Sequence, residues 1–127
     1  MRSFDLLVIH HTASPRNTTM EKVRQWHLDK GWMDIGYHKY VEVSGKVREG
    51  RPLHMMGAHC RHHNAQSIGI AVAGDNTKAG EEWNGDQIDA LRAQVAAFKL
   101  VWPEMRVCGH RDLVATQCPG LDIEELL

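Results

Sequence analysis

Residues 67–73, Ser-Ile-Gly-Ile-Ala-Val-Ala, put small or apolar side chains on both sides of an extended segment, so a strand here has no face suited to water. Such a strand belongs inside a sheet that is covered on both faces. The branched run at 4–10 has the same character and ends in His10, with His11 next. A cover is supplied by Ile88, Leu91, Val95, Phe98 and Trp102, which recur at helical spacing. Asn84 and Gln87 suit a capping box at the start of that helix, and Pro103 ends it.

Earlier in the chain, Thr18 with Glu21 three residues on reads as a capping box for a helix that carries an apolar stripe of Met20, Val23 and Trp26 or His27 and closes near Gly31. Residues 37–43 read as a strand that turns at Ser44-Gly45-Lys46 into a partner over 47–49. Residues 105–109 read as the last strand, delivering His110 into a loop, and 122–127 as a short closing helix. Strands interleaved with amphipathic helices predict an α/β fold, a mixed central β-sheet flanked by α-helices. The 127 residues suffice for one core, hence a single domain over 1–127.

Fifteen Lys and Arg against sixteen Asp and Glu leave a net charge of -1, so nothing in bulk electrostatics attracts nucleic acid or an anionic membrane. The longest aliphatic run, 6–9, is far short of a membrane span or the core of a secretory leader. The expectation is synthesis in the cytoplasm without a signal peptide and without membrane insertion. Three cysteines do not form a disulfide framework. Cys108 is expected in the core, and pairing of Cys60 with Cys108 stays open.

Nine histidines point to metal binding or proton transfer. A catalytic zinc site needs three protein ligands and an open position. His10 and His110, each at a strand end, together with Cys118 eight residues beyond His110, can supply such a set, one of many triplets that nine histidines allow. His11 alternates to the opposite face from His10 and is expected to support structure. Residues 51–66 have no period and hold His54, His59, Cys60, His62, His63 and Asn64, which marks a functional loop. His59, His62 and His63 suit either a second metal site or a surface that meets substrate. The four tryptophans read as core or staple residues, and Asp112 as a carboxylate that orients a neighbouring backbone or a ligand histidine.

Five segments then agree in order: VIHHTAS at 8–14, a helix containing RQWH, GWMDIGYHKYV at 31–41, GAHCRHHNAQSIGIAVAGD at 57–75 and GHRDLVATQCPG at 109–120. Together they resemble the zinc-dependent N-acetylmuramoyl-L-alanine amidases of the bacteriophage-lysozyme and peptidoglycan-recognition-protein type. The resemblance implies a groove at strand ends with Zn2+ on His10, His110 and Cys118, catalytic support from Tyr37 and Thr116, and substrate contacts from His59 and Asn64. It implies hydrolysis of the amide between the lactyl group of N-acetylmuramic acid and the first L-alanine of the stem peptide, with zinc acidifying water and polarising the carbonyl. Ala71 stands where some longer relatives carry a proton-shuttling glutamate, which favours the phage-lysozyme-like branch; Thr116 replaces a lysine found in some of that branch. The expected role is a monomeric endolysin acting on peptidoglycan or muropeptides of the cell wall after release. Rival roles are an exported effector, a recycling enzyme, a non-catalytic peptidoglycan binder, a regulator that docks on another protein, and a zinc endopeptidase acting on stem peptides.

Overall fold

Residues 3–127 are described by a computed structural model. The strands are β1 (Leu6–His11), β2 (Lys39–Val41), β3 (Val47–Glu49), β4 (Ser67–Val72) and β5 (Arg106–Gly109), and the helices are α1 (Met20–Asp29), α2 (Gly85–Val101) and α3 (Ile123–Leu126). One mixed sheet has the order β3-β2-β4-β1-β5, antiparallel between β2 and β3 and parallel elsewhere. The two runs that lack a polar face, β1 and β4, occupy interior positions, as their composition requires.

Side-chain alternation divides the burial between two faces. Leu7, Ile9, Ile68, Ile70 and Val72 pack with Leu91 and Phe98 of α2 and Ile123 of α3. On the other face Ala71, Ala73 and Tyr40 meet Met20 and Val23 of α1, while Val8, Cys108 and Cys60 form a smaller cluster. His10 shares the parity of Val8, so it emerges on this second face, beside the small residues Gly69 and Ala71 of β4. Leu91 is fully buried. We expect Leu91→Ala to cost about 2–5 kcal/mol of unfolding free energy in a denaturant titration, the range for truncating a core leucine, while leaving metal affinity unchanged.

Several boundaries differ from those expected. Helix α1 is capped by Thr19, whose hydroxyl accepts from the Lys22 N–H at 3.3 Å, and not by Thr18. The Thr18 hydroxyl is already committed, donating to the Pro15 carbonyl at 2.6 Å and accepting from Ser14 at 2.9 Å. Glu21 pairs with Arg48 instead of closing a capping box. Strand β2 is shorter than 37–43, because Tyr37 and His38 pair through their carbonyls with Arg51 and Gly50 beyond the hairpin's regular ladder. Strand β5 starts at Arg106, since the Met105 N–H closes a turn onto the Trp102 carbonyl. At α2 the Asn84 and Gln87 box forms as expected. His110 opens a single 3-10 turn through Asp112 where a loop was expected.

Candidate active site

Parallel pairing of β1 with β5 sets Ile9 opposite Gly109, so the residues that follow, His10 still in β1 and His110 just past β5, stand side by side. Their ring centroids are 4.6 Å apart. A Cβ on Gly109 would lie 2.8 Å from Pro119 Cδ and 3.3 Å from Ile123 Cγ1, so only glycine lets the following loop fold back this closely over β5. The Arg111 N–H then donates to the Cys118 carbonyl at 2.7 Å, and Asp112 accepts from the Gly109 N–H at 2.8 Å, a backbone-orienting role of the kind expected of it. Cys118 Sγ consequently sits 3.7 Å from His10 Nδ1.

The ligating atoms of His10, His110 and Cys118 all lie within 4.8 Å of one another. Among the described residues this is the one His/Cys/Asp/Glu group close enough to hold a metal ion, and no second site forms from His59, His62 and His63. Two imidazole nitrogens and one sulfur are a donor set suited to zinc, and three protein donors leave a position open.

Burial dominates the electrostatics. His10, 1% exposed, is held well below the ordinary imidazole pKa, first by burial and then by His59, His110 and His11. Burial lowers His110 as well, so in both rings it favours the neutral form, the form a ligand needs. The Cys118 thiol is pushed up to about 12 by burial, opposed by the His11 N–H that donates to its sulfur at 3.3 Å and reinforced by Cys60. A bound cation reverses that balance in favour of thiolate. His11 itself accepts from the Asn76 N–H at 3.2 Å and lies 3.8 Å from Asp75, so it ties the 74–76 turn to β1.

Three hollows adjoin the ligand cluster. The first lies between α1 and the ligands, lined by Thr12, Trp26, His27, Lys30 and Tyr37. Tyr37 places its ring 5.1 Å from His10, and burial together with the Cys118 sulfur raises its pKa, so the phenol stays a proton donor. Trp26 is 39% exposed here, not a core residue, and helical spacing sets it on one face with Lys30. Sequence reasoning passed over Lys30, since a helical lysine carries no signal beyond that of an ordinary solvated face. The second hollow contains Cys118, His11, Asp75 and Thr116. Thr116 is exposed, and its hydroxyl accepts from the Cys118 N–H at 3.3 Å.

The third hollow is bordered by Trp32, His59, Arg61, Asn64 and His110. The Asn64 side-chain oxygen accepts from the N–H groups of His59 and Cys60 at 3.0 and 2.9 Å. The two ring nitrogens of His59 lie 2.9 Å from His10 Nε2 and 3.0 Å from Ser67 Oγ. Cys60 and Cys108 are both buried and both free thiols, with Cys108 in the core as expected.

His27 supplies a pH-dependent test of this region. Its Nδ1 accepts from the Gly36 N–H at 2.9 Å, and burial, with Lys30 and Arg51 nearby, lowers its pKa to about 4. Below the unfolded value of about 6.5, the unfolded chain takes up a proton that the folded chain refuses. Stability of the metal-free protein is therefore expected to fall as pH drops from 6.5 toward 4. His27→Asn, which keeps an acceptor for Gly36, should flatten that slope in urea titrations; an unchanged slope would assign it to other groups.

The sequence pattern of the N-acetylmuramoyl-L-alanine amidase family matches residues 1–121. The chain is 30% identical over 121 residues to the endolysin of Enterobacteria phage K11, covering 91% of this chain and 80% of that one. Among solved structures, the Ph2119 endolysin from the Thermus scotoductus MAT2119 bacteriophage superposes with a TM-score of 0.91 at 30% identity, covering 99% and 84% of the two chains. The N-acetylmuramoyl-L-alanine amidase LysC from Clostridium intestinale URNW gives 0.89 at 31% identity, covering 98% and 83%. With this family pattern running from the first strand past Cys118, and the sheet-end cluster of two histidines and a cysteine within it, the chain belongs to the N-acetylmuramoyl-L-alanine amidase family.

Proposed function

We propose that residues 1–127 act as one catalytic domain that hydrolyses the amide between N-acetylmuramic acid and L-alanine in peptidoglycan, with zinc held by His10, His110 and Cys118. The observation that carries this is the convergence of those three donors at the strand ends beside Tyr37. Zinc held there supplies Lewis acidity, acidifying water and polarising a carbonyl.

The chain's own groups do the rest. Tyr37 directs a protonated phenol toward the scissile carbonyl oxygen as that oxygen gains charge, a stabilisation that strengthens where water is excluded. Thr116 adds a hydroxyl from the Cys118 loop. His59 and Asn64 form part of the substrate groove's wall, and Trp26 and Lys30 bound its other limb. Ala71, buried in β4 opposite His10, offers no group for proton transfer. The role we infer is that of an endolysin, monomeric and taking peptidoglycan or muropeptides as substrate at the wall after release from the cytoplasm. No helix among the described residues is long and apolar enough to cross a membrane.

Chelation tests the metal assignment. Turbidity of a purified cell-wall suspension should fall with the protein, stop falling after zinc is stripped, and fall again when stoichiometric zinc is restored, with magnesium ineffective. Undiminished clearing by metal-stripped protein would overturn it.

A further inference from the structure

We infer that His59 is a positioning residue for the ligand His10, accepting the His10 Nε2 proton and passing its own on to Ser67. The inference rests on the zinc reading of His10, His110 and Cys118. His10 presents its two nitrogens to different partners: Nδ1 faces Cys118 Sγ at 3.7 Å, and Nε2 faces His59 Nδ1 at 2.9 Å. His59 Nε2 continues the chain to Ser67 Oγ at 3.0 Å. Nδ1 of His10 can ligate only if it is bare, so the ring proton must sit on Nε2 and be donated to His59 Nδ1. His59 must then carry its own proton on Nε2 and donate it to the serine oxygen. The opposite direction of donation would put a proton on the ligating atom of His10.

The surroundings hold His59 to this task. A Cβ on Gly69 would lie 2.5 Å from His59 Cγ, and one on Gly57 would lie 2.7 Å from His59 Cδ2, so these glycines make the room that the ring fills. Asn64 fixes the main chain on which the ring is mounted by accepting from both the His59 and Cys60 N–H groups. The His59 and His10 rings meet edge-on, with centroids 5.0 Å apart and planes at 89°. His38, the other ring nearby, accepts from the Gly69 N–H at 3.1 Å through Nδ1, and its Nε2 faces the Met55 carbonyl at 2.9 Å. The partner that orients a metal-bound imidazole is commonly a carboxylate or a carbonyl. Here a second imidazole takes that place, and it accepts only with its own proton on the far nitrogen, where Ser67 Oγ stands ready to receive it.

Two substitutions separate positioning from simple filling of space. Asn at 59 can bring its side-chain oxygen to the place of Nδ1 and still accept from His10. Gln instead carries its amide toward the place of Nε2 and leaves His10 without that acceptor. Zinc affinity, measured by competition with a chromophoric chelator, should weaken about 10–100-fold in His59→Gln and stay within about threefold of wild type in His59→Asn. The visible spectrum of the cobalt-loaded protein should shift in His59→Gln alone, and Ser67→Ala should weaken zinc binding in the same direction as His59→Gln. Equal affinities for wild type and His59→Gln, or equal losses in the Gln and Asn variants, would overturn the inference and leave the zinc reading standing. A wild-type protein with no zinc affinity would overturn both. If the variants do not fold, nitrogen NMR of the zinc-loaded wild type decides: protonated Nε2 on both His10 and His59 is expected, and a proton on His10 Nδ1 contradicts it.

Discussion

Cys118→Ser is expected to weaken zinc binding at least about 100-fold and to reduce peptidoglycan hydrolysis to background. Loss of a hydrogen-bond partner outside the ligand set already costs about 10–100-fold, and this substitution removes one of the three proposed ligands. A serine hydroxyl does not ionise in the range where a metal-stabilised thiolate does, so the three-donor set is reduced to His10 and His110. The replacement is conservative for the fold. The Cys118 carbonyl keeps its bond from Arg111, and the smaller hydroxyl still stands near the His11 N–H that now donates to sulfur. Zinc stoichiometry, circular dichroism and wall hydrolysis on one preparation separate the outcomes: a folded, zinc-poor, inactive protein is expected. A folded variant with full zinc and full turnover would remove Cys118 from the site.

Tyr37→Phe is expected to give the second large effect, a fall in kcat of about 100–1,000-fold, the range for losing one donor to a developing oxyanion. The ring contacts with His10 and His27, at centroid distances of 5.1 and 5.6 Å, survive the loss of the hydroxyl. Zinc affinity and the melting temperature should therefore stay near wild type, and KM should move little, because the donated bond matters most in the transition state. A rise in KM with kcat unchanged would make the phenol a ground-state contact. Unchanged kinetics would transfer the polar assistance to Thr116.

The two predictions draw on features of different legibility. The framework of the site follows from local rules: β1 and β4, two strands with no polar face, must lie inside the sheet, and His10 stands at the end of one of them. The choice of this triplet among nine histidines came from resemblance, because strand register, which brings residues 10, 110 and 118 together, is not written in any local pattern. Where tertiary partners compete with local ones, the local rule lost. Thr18 has the composition of a cap, yet Ser14 and Pro15 engage its hydroxyl, and the cap moves to Thr19. Trp26 and His27 fit the apolar stripe of α1 equally well in the sequence; the helix buries His27 with Met20 and Val23, and Trp26 faces an open hollow.

The aperiodic stretch from 51 to 66 was the least legible. Its course is set by long-range bonds, such as Arg51 Nε donating to the Ile35 carbonyl at 2.8 Å and Asn64 holding residues 59 and 60. The side of the loop on which His59 would present its nitrogens depends on those bonds. Gly57 and Gly69 were the available hint, since small residues on facing segments leave room for a ring, but the ring that fills it is identified only in three dimensions.

The central claim is the bond that is cut, and mass spectrometry of purified peptidoglycan digested by the zinc-loaded protein reads it directly. The account predicts free stem peptides with a new amino terminus at L-alanine, and glycan strands whose lactyl groups end in carboxylate. Fragments cut within the stem peptide or between sugars, or an undigested wall in the presence of folded, zinc-loaded protein, would contradict it.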